Sequence, residues 1–348
     1  MNRFIRRGVL SVVVVFLVFS SVALASQLPD IDRAEVERII RVLADDDMEG
    51  RSAFSPAAMR AAEFIAEQFA DIGLEEVPGN DGYLQRFTAA PRARGRGRGG
   101  RGGRRGGGGE AGENVAPPEE YELANVVGMI SGNRTDEFVL FSAHYDHIGI
   151  RGDGEDTIAN GANDNASGTT AVIELARYFK GRPTPERTLL FVAFTAEERG
   201  GFGSRHFSEQ LDPDQIVAMF NIEMIGKPAV SGPNTAWITG FERSSFGEIL
   251  QRAVEGTPYE FYADPYPDQN LFFRSDNATL ARLGVPAHTI STTPIDVDPD
   301  YHQVTDEVET LDLDHMTDTI RAIAMAGATI ISGEETPTRV DPDSVRRR

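Results

Sequence analysis

Apolar positions along this chain repeat at two spacings, and the two spacings alternate. Over residues 36–43 apolar side chains recur at i, i+3, i+4 and i+7, which predicts a first helix. A second helix is predicted to begin after Ser55 as N-cap, with Pro56 in its first turn, and to end at Gly73. Each helix would therefore present one apolar face to a core.

Short apolar runs rich in β-branched and aromatic residues predict strands. These runs occupy residues 138–142, 189–195, 216–222, 236–239 and 287–291, with a further strand near 123–130. Helical patterns alternate with them at 169–179, 246–254 and 316–331. The alternation predicts one α/β domain, in which a mostly parallel or mixed central sheet carries helices on both faces.

The first residues have the pattern of an export signal. Three arginines within residues 3–7 precede an apolar run at 9–22, and Ala23-Leu24-Ala25 then supplies an A-x-A cleavage site. We therefore expect a signal peptide over residues 1–25 and a periplasmic or extracellular mature protein. The alternative is an uncleaved anchor, but the run is shorter than the ~20 residues of a spanning helix, so we expect no stable membrane anchor.

Residues 91–109 are almost entirely arginine and glycine. Such a segment buries too little apolar surface to offset the entropy of ordering, so a disordered surface insertion is expected. An RGG-like tether with weak contact to nucleic acid or another polyanion is the functional alternative. The formal net charge of −20 makes nucleic acid an unfavourable partner for the body of the protein.

Imidazole and carboxylate side chains follow several of the predicted strands. The segments are S-A-H-Y-D-H-I-G (142–149), G-A-N-D-N-A-S-G (161–168), T-A-E-E-R-G (195–200), N-I-E-M-I-G (221–226) and Y-H (301–302). Active sites of open α/β sheets form at the carboxyl ends of strands. Because the chain has no cysteine, a metal here would be held by nitrogen and oxygen, as suits zinc in a hydrolase.

The first segment contributes His144, whose second ring N–H could be accepted by the carboxylate or carbonyl of Asp146. His147 is assigned to loop packing or to support of the ligands. Asp164 lies in a loop rich in Asn, Gly and Ser, where turn formation alone is the simpler interpretation, yet a carboxylate here could bridge two metals.

The later segments supply the remaining candidate ligands, the candidate general base and a phenol. Of the adjacent pair Glu197 and Glu198, one can bind metal while the other acts as general base. Glu223 interrupts an apolar run, and a buried carboxylate needs a metal or a base nearby. His302 offers a second imidazole, and the Tyr301 phenol can donate to a developing oxyanion. The chain contains neither G-x-S-x-G nor H-E-x-x-H.

Taken in order, the segments resemble the co-catalytic zinc aminopeptidases of peptidase clan MH, the aminopeptidase S/aminopeptidase Y family. The likeness runs from about Asp46, in D-D-M-E-G-R, to about Leu313 and leaves out the Arg/Gly insertion. It implies a zinc-peptidase domain with a phosphorylase/hydrolase-like fold over residues 26–335, followed by a polar tail at 336–348. It also implies peptide substrates with a free N-terminus.

The resemblance implies two zinc ions per chain and a role for each candidate. Asp164 would bridge the ions, Glu197 would be the general base and Tyr301 would polarise the carbonyl, with a cis peptide expected after Asp164. The ligand sets implied are His144, Asp164 and Glu223 for one ion, and Asp164, Glu198 and His302 for the other.

Two positions depart from the family pattern. Glu223 stands where the family more often has aspartate, and Asn277 stands where many members have the histidine of S-D-H, a change expected to affect the pocket wall. Two alternatives on the same scaffold stay open: a single-zinc enzyme similar to glutaminyl cyclase, and a catalytically inactive binding module. No candidate ligand is missing by residue type, which favours the peptidase.

Overall fold

The structure is a computed structural model that describes residues 28–91 and 119–345. The expected signal peptide and all of the Arg/Gly insertion except Pro91 lie outside the described residues. Within these two ranges, no helix combines the length and the apolar character needed to cross a bilayer.

The described chain forms alternating strands and helices. The strands are β1 (Glu75–Glu76), β2 (Leu84–Ala89), β3 (Tyr121–Ile130), β4 (Arg134–His144), β5 (Gly149–Ile150), β6 (Ile158–Ala159), β7 (Arg187–Phe194), β8 (Ile216–Ile222), β9 (Thr235–Ile238), β10 (Glu260–Ala263) and β11 (Ala287–Ser291). The helices are α1 (Arg33–Leu43), α2 (Pro56–Ile72), α3 (Ser167–Lys180), α4 (Phe202–Ser208), α5 (Phe246–Ala253), α6 (Asn277–Ala281), α7 (Leu313–Ala326), α8 (Ala328–Ile331) and α9 (Pro342–Val345).

Nine of the described strands form one mixed sheet, in the order β1-β3-β7-β4-β8-β11-β9-β10 with β2 also paired to β3. The four central strands β7, β4, β8 and β11 are parallel to one another. The pairs of β3 with β7 and of β11 with β9 are antiparallel. The predicted mixed α/β sheet is therefore confirmed, and four adjacent strands end at the same edge.

Successive side chains of a strand point to opposite faces of a sheet, and here both faces are covered. On β4, Val139 and Phe141 pack in the cluster that includes α1, α2, α3 and α7. Leu140, between them, packs in a second cluster with Phe207 of α4 and Leu280 of α6. Helices thus lie on both faces, which explains why the central strands are continuous apolar runs.

Most predicted elements form close to the expected positions, and the differences have local causes. Ser55 is the residue before α2, but its hydroxyl donates to the Ser52 carbonyl and does not cap the helix. The helix predicted over 316–331 begins at Leu313, because the Asp312 side chain accepts from the His315 N–H. It ends at Ala326, and α8 follows after Gly327.

The structure places residues 336–345 on the domain, beyond the boundary expected at 335. Val340 and Val345 are each 1% exposed and pack in the second cluster. Arg339 donates to the carbonyls of Ile216 and Pro213. Two buried valines separated by polar residues are too weak a pattern to mark this segment as part of the domain.

His288 on β11 is buried in its neutral form. Its Nδ1 donates to the Thr239 carbonyl at 2.9 Å, and Nε2 is 2.7 Å from the Ser244 hydroxyl. The ring stacks on Phe246 with centroids 5.0 Å apart. Burial lowers the pKa of His288 to about 4 from an ordinary value of 6.5. Folding therefore favours the neutral imidazole.

His288 is expected to make the domain less stable in mild acid. Because the folded-state pKa lies below the unfolded one, its contribution is present above pH ~6.5 and is lost as the pH falls toward 4. Urea unfolding at pH 7 and pH 4.5 should show that His288→Gln reduces the loss of stability between these values by roughly 2–3 kcal/mol. An equal loss in wild type and variant would contradict this assignment.

Candidate metal centre

Four neighbouring parallel strands end at one edge of the sheet, and the loops that follow them carry the candidate residues. These are His144 at the end of β4, Glu197 and Glu198 after β7, Glu223 after β8, and Tyr301 and His302 after β11. Asp164 joins them from the turn between β6 and α3. The structure therefore brings all seven candidates to the place where open α/β sheets build their sites.

The first group consists of His144, Asp164 and Glu223, whose potential ligand atoms converge. His144 Nε2 lies 3.4 Å from Asp164 Oδ1 and 4.0 Å from Glu223 Oε1. On the other side of the ring, Nδ1 is 3.0 Å from the backbone carbonyl of Asp146. Since a carbonyl only accepts, Nδ1 carries the hydrogen and Nε2 presents its lone pair to the carboxylates.

The second group surrounds the other oxygen of Asp164. His302 Nε2 lies 3.1 Å from both Asp164 Oδ2 and Glu198 Oε1. His147 is also present, with Nδ1 3.3 Å from Glu198 Oε1 and 3.8 Å from Asp164 Oδ2. Asp164 thus directs one oxygen to each group. His147, assigned from sequence to packing or support, lies among the candidate ligands.

Asp306 holds the Asp164 turn in place. Its carboxylate accepts from the backbone N–H groups of Asn163 and Asp164 at 2.8 and 3.0 Å. Burial raises the pKa of Asp306 to about 6. The sequence offered no signal for this role, because Asp306 belongs to an unremarkable polar loop and its partners lie more than 140 positions earlier in the chain.

The asparagines on either side of Asp164 connect this turn to the Glu223 segment. The Asn165 side chain accepts from the Met224 N–H at 3.1 Å, and Asn163 accepts from the Gly226 N–H at 2.9 Å. Asn165 Oδ1 also accepts from the Gly168 N–H at 3.0 Å, so this side chain makes a local bond as well as a long-range one. The peptide between Asp164 and Asn165 is cis, as the resemblance implied.

Asp146 orients the glutamate pair. Its carboxylate, 0% exposed, accepts from the backbone N–H of Glu197 at 2.9 Å and of Glu198 at 3.3 Å. The carboxylate is 3.9 Å from His144 Nδ1, so His144 is held by the carbonyl of Asp146 instead. One residue therefore fixes a candidate ligand on β4 and the loop after β7.

The loops at this edge of the sheet surround a cleft, and the carboxylates that line it shift one another's pKa values. Burial, together with the nearby Asp276, Glu223 and Glu198, raises the pKa of Glu197 well above its ordinary value. Burial raises the pKa of Glu223 to about 7 and that of Asp276 to about 6. In contrast, the nearby imidazoles of His147 and His302, 3.3 and 3.1 Å from Glu198 Oε1, overcome the effect of burial and hold the pKa of Glu198 below its ordinary value.

Tyr301 closes one side of the cleft. Its ring stacks on His302 with centroids 4.0 Å apart, and its hydroxyl accepts from Arg274 at 3.1 Å. Tyr301 and Glu223 also line a neighbouring pocket with apolar walls. The phenol therefore lies in the same cleft as the carboxylates of Glu197, Glu198 and Glu223.

The loop that carries Tyr301 and His302 is fastened by Lys227. The ammonium is 2.5 Å from Asp298 Oδ1 and 2.7 Å from Asp300 Oδ2, and the Asp298 side chain is only 1% exposed. The His302 carbonyl also accepts from Arg151 at 2.7 Å. Three separate bonds thus anchor a loop that has no regular secondary structure over residues 292–306.

Replacing Lys227 with methionine is expected to destabilise the domain by about 3 kcal/mol, because Asp298 would stay buried without its partner. Lys227→Arg, or the double variant Lys227→Met with Asp298→Asn, should recover part of this loss. Urea unfolding checks both. A surface control is Arg252→Met, whose pair with Glu335 is exposed and should matter little. A Lys227→Met variant as stable as this control would rule out the anchor.

The donor set fits zinc. Imidazole nitrogens and carboxylate oxygens are ligands that zinc accepts, in groups of three to four. His144 Nε2 and Glu223 Oε2 are buried and lack a hydrogen-bond partner among the described residues. Divalent cations would satisfy both these lone pairs and the excess negative charge of the five carboxylates that line the cleft, those of Asp164, Glu197, Glu198, Glu223 and Asp276.

Asn277 does not form the pocket wall, contrary to the expectation from the family pattern. It is 0% exposed, and its amide donates to the Phe272 carbonyl while its side-chain oxygen accepts from Thr289. The neighbouring Asp276 and Ser275 line the cleft instead. Asn277 therefore connects α6 to β11, which is a packing role.

Comparisons with known proteins identify the family of this chain. Residues 125–327 match the family model described as Peptidase family M28. A probable leucine aminopeptidase of Trichophyton verrucosum is 29% identical over 209 residues, which are 57% of this chain and 54% of that protein. This chain thus spans about half the length of that curated relative.

Solved structures show the same fold at low identity. A zinc aminopeptidase from Bacillus subtilis has a TM-score of 0.67 at 18% identity, covering 88% of this chain and 97% of its own. A glutaminyl cyclase from Bacteroides thetaiotaomicron has a TM-score of 0.61 at 15% identity, covering 88% and 100%. One fold therefore carries two different chemistries.

Proposed function

We propose that this chain, which belongs to peptidase family M28 because the family model matches more than half of it, is an exported aminopeptidase that depends on two zinc ions. The observation that carries the proposal is the position of Asp164 between two donor groups. Its Oδ1 lies 3.4 Å from His144 Nε2, and its Oδ2 lies 3.1 Å from His302 Nε2. A carboxylate with each oxygen facing a separate imidazole is suited to bridge two ions.

Glu223 completes the first ligand set with His144 and Asp164, and Glu198 completes the second with Asp164 and His302. When bound, the ions would supply Lewis-acid chemistry by acidifying a water molecule and polarising the scissile carbonyl. The longer side chain of Glu223, compared with the usual aspartate, still brings its Oε1 to 4.0 Å from His144 Nε2.

Glu197 is the general base of the proposed reaction. It lines the cleft beside Asp164 and Glu223, and Asp146 fixes its backbone, so its carboxylate can reach a water held in the cleft. It takes a proton from the attacking water and delivers that proton to the leaving amine. Burial raises its pKa, which makes the carboxylate a stronger base than an exposed glutamate.

Tyr301 and the negative cleft orient the substrate. The phenol donates a hydrogen bond to the oxyanion that develops as water adds to the carbonyl. Asp276 lines the cleft, is 1% exposed, and has neither carboxylate oxygen bonded within the described residues. Such buried negative charge favours a substrate that brings a cation, such as the α-ammonium of a peptide.

The pocket next to Glu223 supports a preference for apolar N-terminal residues. Its walls include Met224, Trp237, Leu271 and Ile295. An apolar side chain buried there gains transfer free energy of about 25 cal/mol per Å², whereas a charged one loses hydration. We expect leucine and methionine to be preferred over lysine and glutamate.

A panel of aminoacyl p-nitroanilides, assayed with and without a chelator, tests the proposal. We expect release of p-nitroaniline from the leucine and methionine substrates, its loss on chelation and its return with added zinc. A substrate blocked by N-acetylation is the matched control and should not be cleaved. If the zinc-loaded protein cleaves none of the panel and no free peptide, the peptidase proposal fails and an inactive binding module is favoured.

A glutaminyl cyclase function is the second candidate, since that chemistry occurs on the same fold in the Bacteroides thetaiotaomicron protein. The presence of His144 and Glu223 beside the second ligand set favours two ions over one. Incubation with an N-terminal glutaminyl peptide separates the two, because cyclisation releases ammonia and aminopeptidase action releases glutamine. A single tightly bound zinc together with ammonia release would favour the cyclase.

Export is proposed from residues 1–25, which have basic, apolar and A-x-A segments in the order of a signal peptide. N-terminal sequencing of protein recovered from the periplasm or medium should begin at Ser26. Recovery only in the cytosol with residues 1–25 intact would contradict export, without affecting the proposed chemistry.

A further inference from the structure

His147 is an imidazole with no role in the proposed reaction and no place in either proposed ligand set. It is 0% exposed, and neither Nδ1 nor Nε2 has a hydrogen-bond partner of acceptable geometry among the described residues. Buried polar side-chain atoms normally have at least one partner. The unpartnered Nδ1 is also the atom that lies close to the carboxylates, 3.3 Å from Glu198 Oε1.

The distances from His147 to the carboxylates of Asp164 and Glu198 match those between ligands of one ion, and the potential ligand atoms of these three residues converge. His147 Nδ1 and His302 Nε2 approach the same two oxygens, Asp164 Oδ2 and Glu198 Oε1, at separations of 3.1 to 3.8 Å. In a tetrahedral zinc site with bonds of ~2.0–2.1 Å, neighbouring ligand atoms are about 3.3 Å apart. The two rings meet edge to face, with centroids 5.7 Å apart, so they approach the oxygens from different directions.

The backbone around His147 holds its ring in this position. Gly161, at φ 57°, lies against the ring, and a Cβ on this glycine would be 2.5 Å from the Cγ and Cδ2 atoms of His147. The His147 N–H donates to the Arg51 carbonyl at 3.4 Å. A side chain at position 161 would therefore push the imidazole out of its place, and the absence of one lets Nδ1 face the carboxylates.

We infer that His147 is a fourth protein ligand of the second ion, completing a set with Asp164, Glu198 and His302. This inference rests on the proposed two-zinc function. The second site then has four protein donors, one more than the first. The first site has three protein donors and keeps an open position for water. The second ion should accordingly bind more tightly and be the last that a chelator removes.

Metal binding by the full mature chain tests the inference without any activity assay. After removal of metal, titration with zinc chloride against a chromogenic chelator should show two ions, one bound more tightly. His147→Asn should weaken the tighter ion by about a hundredfold or more and alter the visible spectrum of the cobalt-loaded protein. His315→Asn is the matched control, since His315 is also buried and both of its ring nitrogens lack partners. The His315→Asn variant should change neither the zinc affinity nor the cobalt spectrum.

A double-mutant cycle separates a ligand from a residue that only orients Glu198. Replacing an outer hydrogen-bond partner of a metal ligand also costs 10–100-fold in affinity, so the single variant is not decisive. If His147 binds the ion, His147→Asn should still weaken zinc binding severalfold in a Glu198→Gln background. If the effect disappears in that background and the cobalt spectrum of the single variant equals that of wild type, the inference is overturned.

X-ray absorption on the wild-type zinc protein supplies a measurement that needs no variant. The inference predicts a total of three imidazole ligands for the two zinc ions, whereas the ligand sets without His147 predict a total of two. Two zinc ions bound with two imidazoles would overturn only the role of His147. A chain that takes up no zinc would overturn both this inference and the proposed function.

Discussion

Glu197→Gln is expected to lower kcat on leucine p-nitroanilide by ~10²–10⁴ while the zinc content stays unchanged. Glutamine keeps the size of the side chain and its place after β7, where the Asp146 carboxylate accepts from the backbone N–H. It has no lone pair basic enough to accept a proton from water. The variant thus removes proton transfer while the cleft keeps its shape. Steady-state kinetics combined with zinc analysis of the same preparation measures both quantities.

Glu198→Gln is the matched comparison, because it changes the adjacent residue by the same atoms. Its carboxylate lies 3.1 Å from His302 Nε2, and this variant should lose affinity for zinc. Addition of excess zinc should restore part of the activity of Glu198→Gln and none of that of Glu197→Gln. Turnover close to wild type in Glu197→Gln would remove this residue from the role of base.

The central strands were predictable because burial on both faces leaves a continuous apolar run. Strands β8 and β11 have the predicted bounds, and β7 is buried at every position. The edge strands were not predicted. Strand β2 has only its first two residues buried, and β10 has one buried residue in four. A partly exposed edge strand has too few apolar positions to stand out from a loop.

The candidate ligands could be identified because their residue types follow strand ends in a distinctive order. The residues that hold these ligands in position could not be identified from the sequence. Asp306 and Lys227 act through long-range bonds to the Asp164 turn and to Asp298, and surface loops contain many such charged residues. The place of His147 beside Glu198 also depends on how the loop after β4 folds back against Gly161, which no local pattern encodes.

Arg51, in the D-D-M-E-G-R segment, connects the backbone of two loops that carry residues of the candidate metal centre. Its guanidinium is 0% exposed, and it donates to the backbone carbonyls of Leu43, Tyr145, Asn160 and Gly161. Burial lowers the pKa of Arg51 to about 10, so the group stays charged at neutral pH, and the nearby acids Asp306, Asp146 and Asp164 favour that charge. One side chain thus links α1, the loop after β4 and the turn that leads to Asp164.

Arg51→Met is expected to destabilise the domain by about 3–5 kcal/mol, because four buried carbonyls would lose their donor and each unsatisfied group costs ~1–3 kcal/mol before water compensates. Arg51→Lys should recover little, since one ammonium offers three donors on a single atom and cannot match the planar fork of a guanidinium. Zinc affinity should fall with stability, because Tyr145 and Gly161 precede the ligand loops.

Urea unfolding of the metal-free proteins measures the effect of Arg51 without the contribution of bound zinc. Arg60→Met is the control from the same region, since Arg60 donates to the Asp47 carbonyl from an exposed position and should alter stability little. If Arg51→Met were as stable as Arg60→Met, the carbonyls would have to find other donors, and the loops would be held by Asp306 and Asp146 alone. A large loss confined to Arg51→Met shows instead that a buried cation fixes the backbone of the loops that carry the candidate ligands.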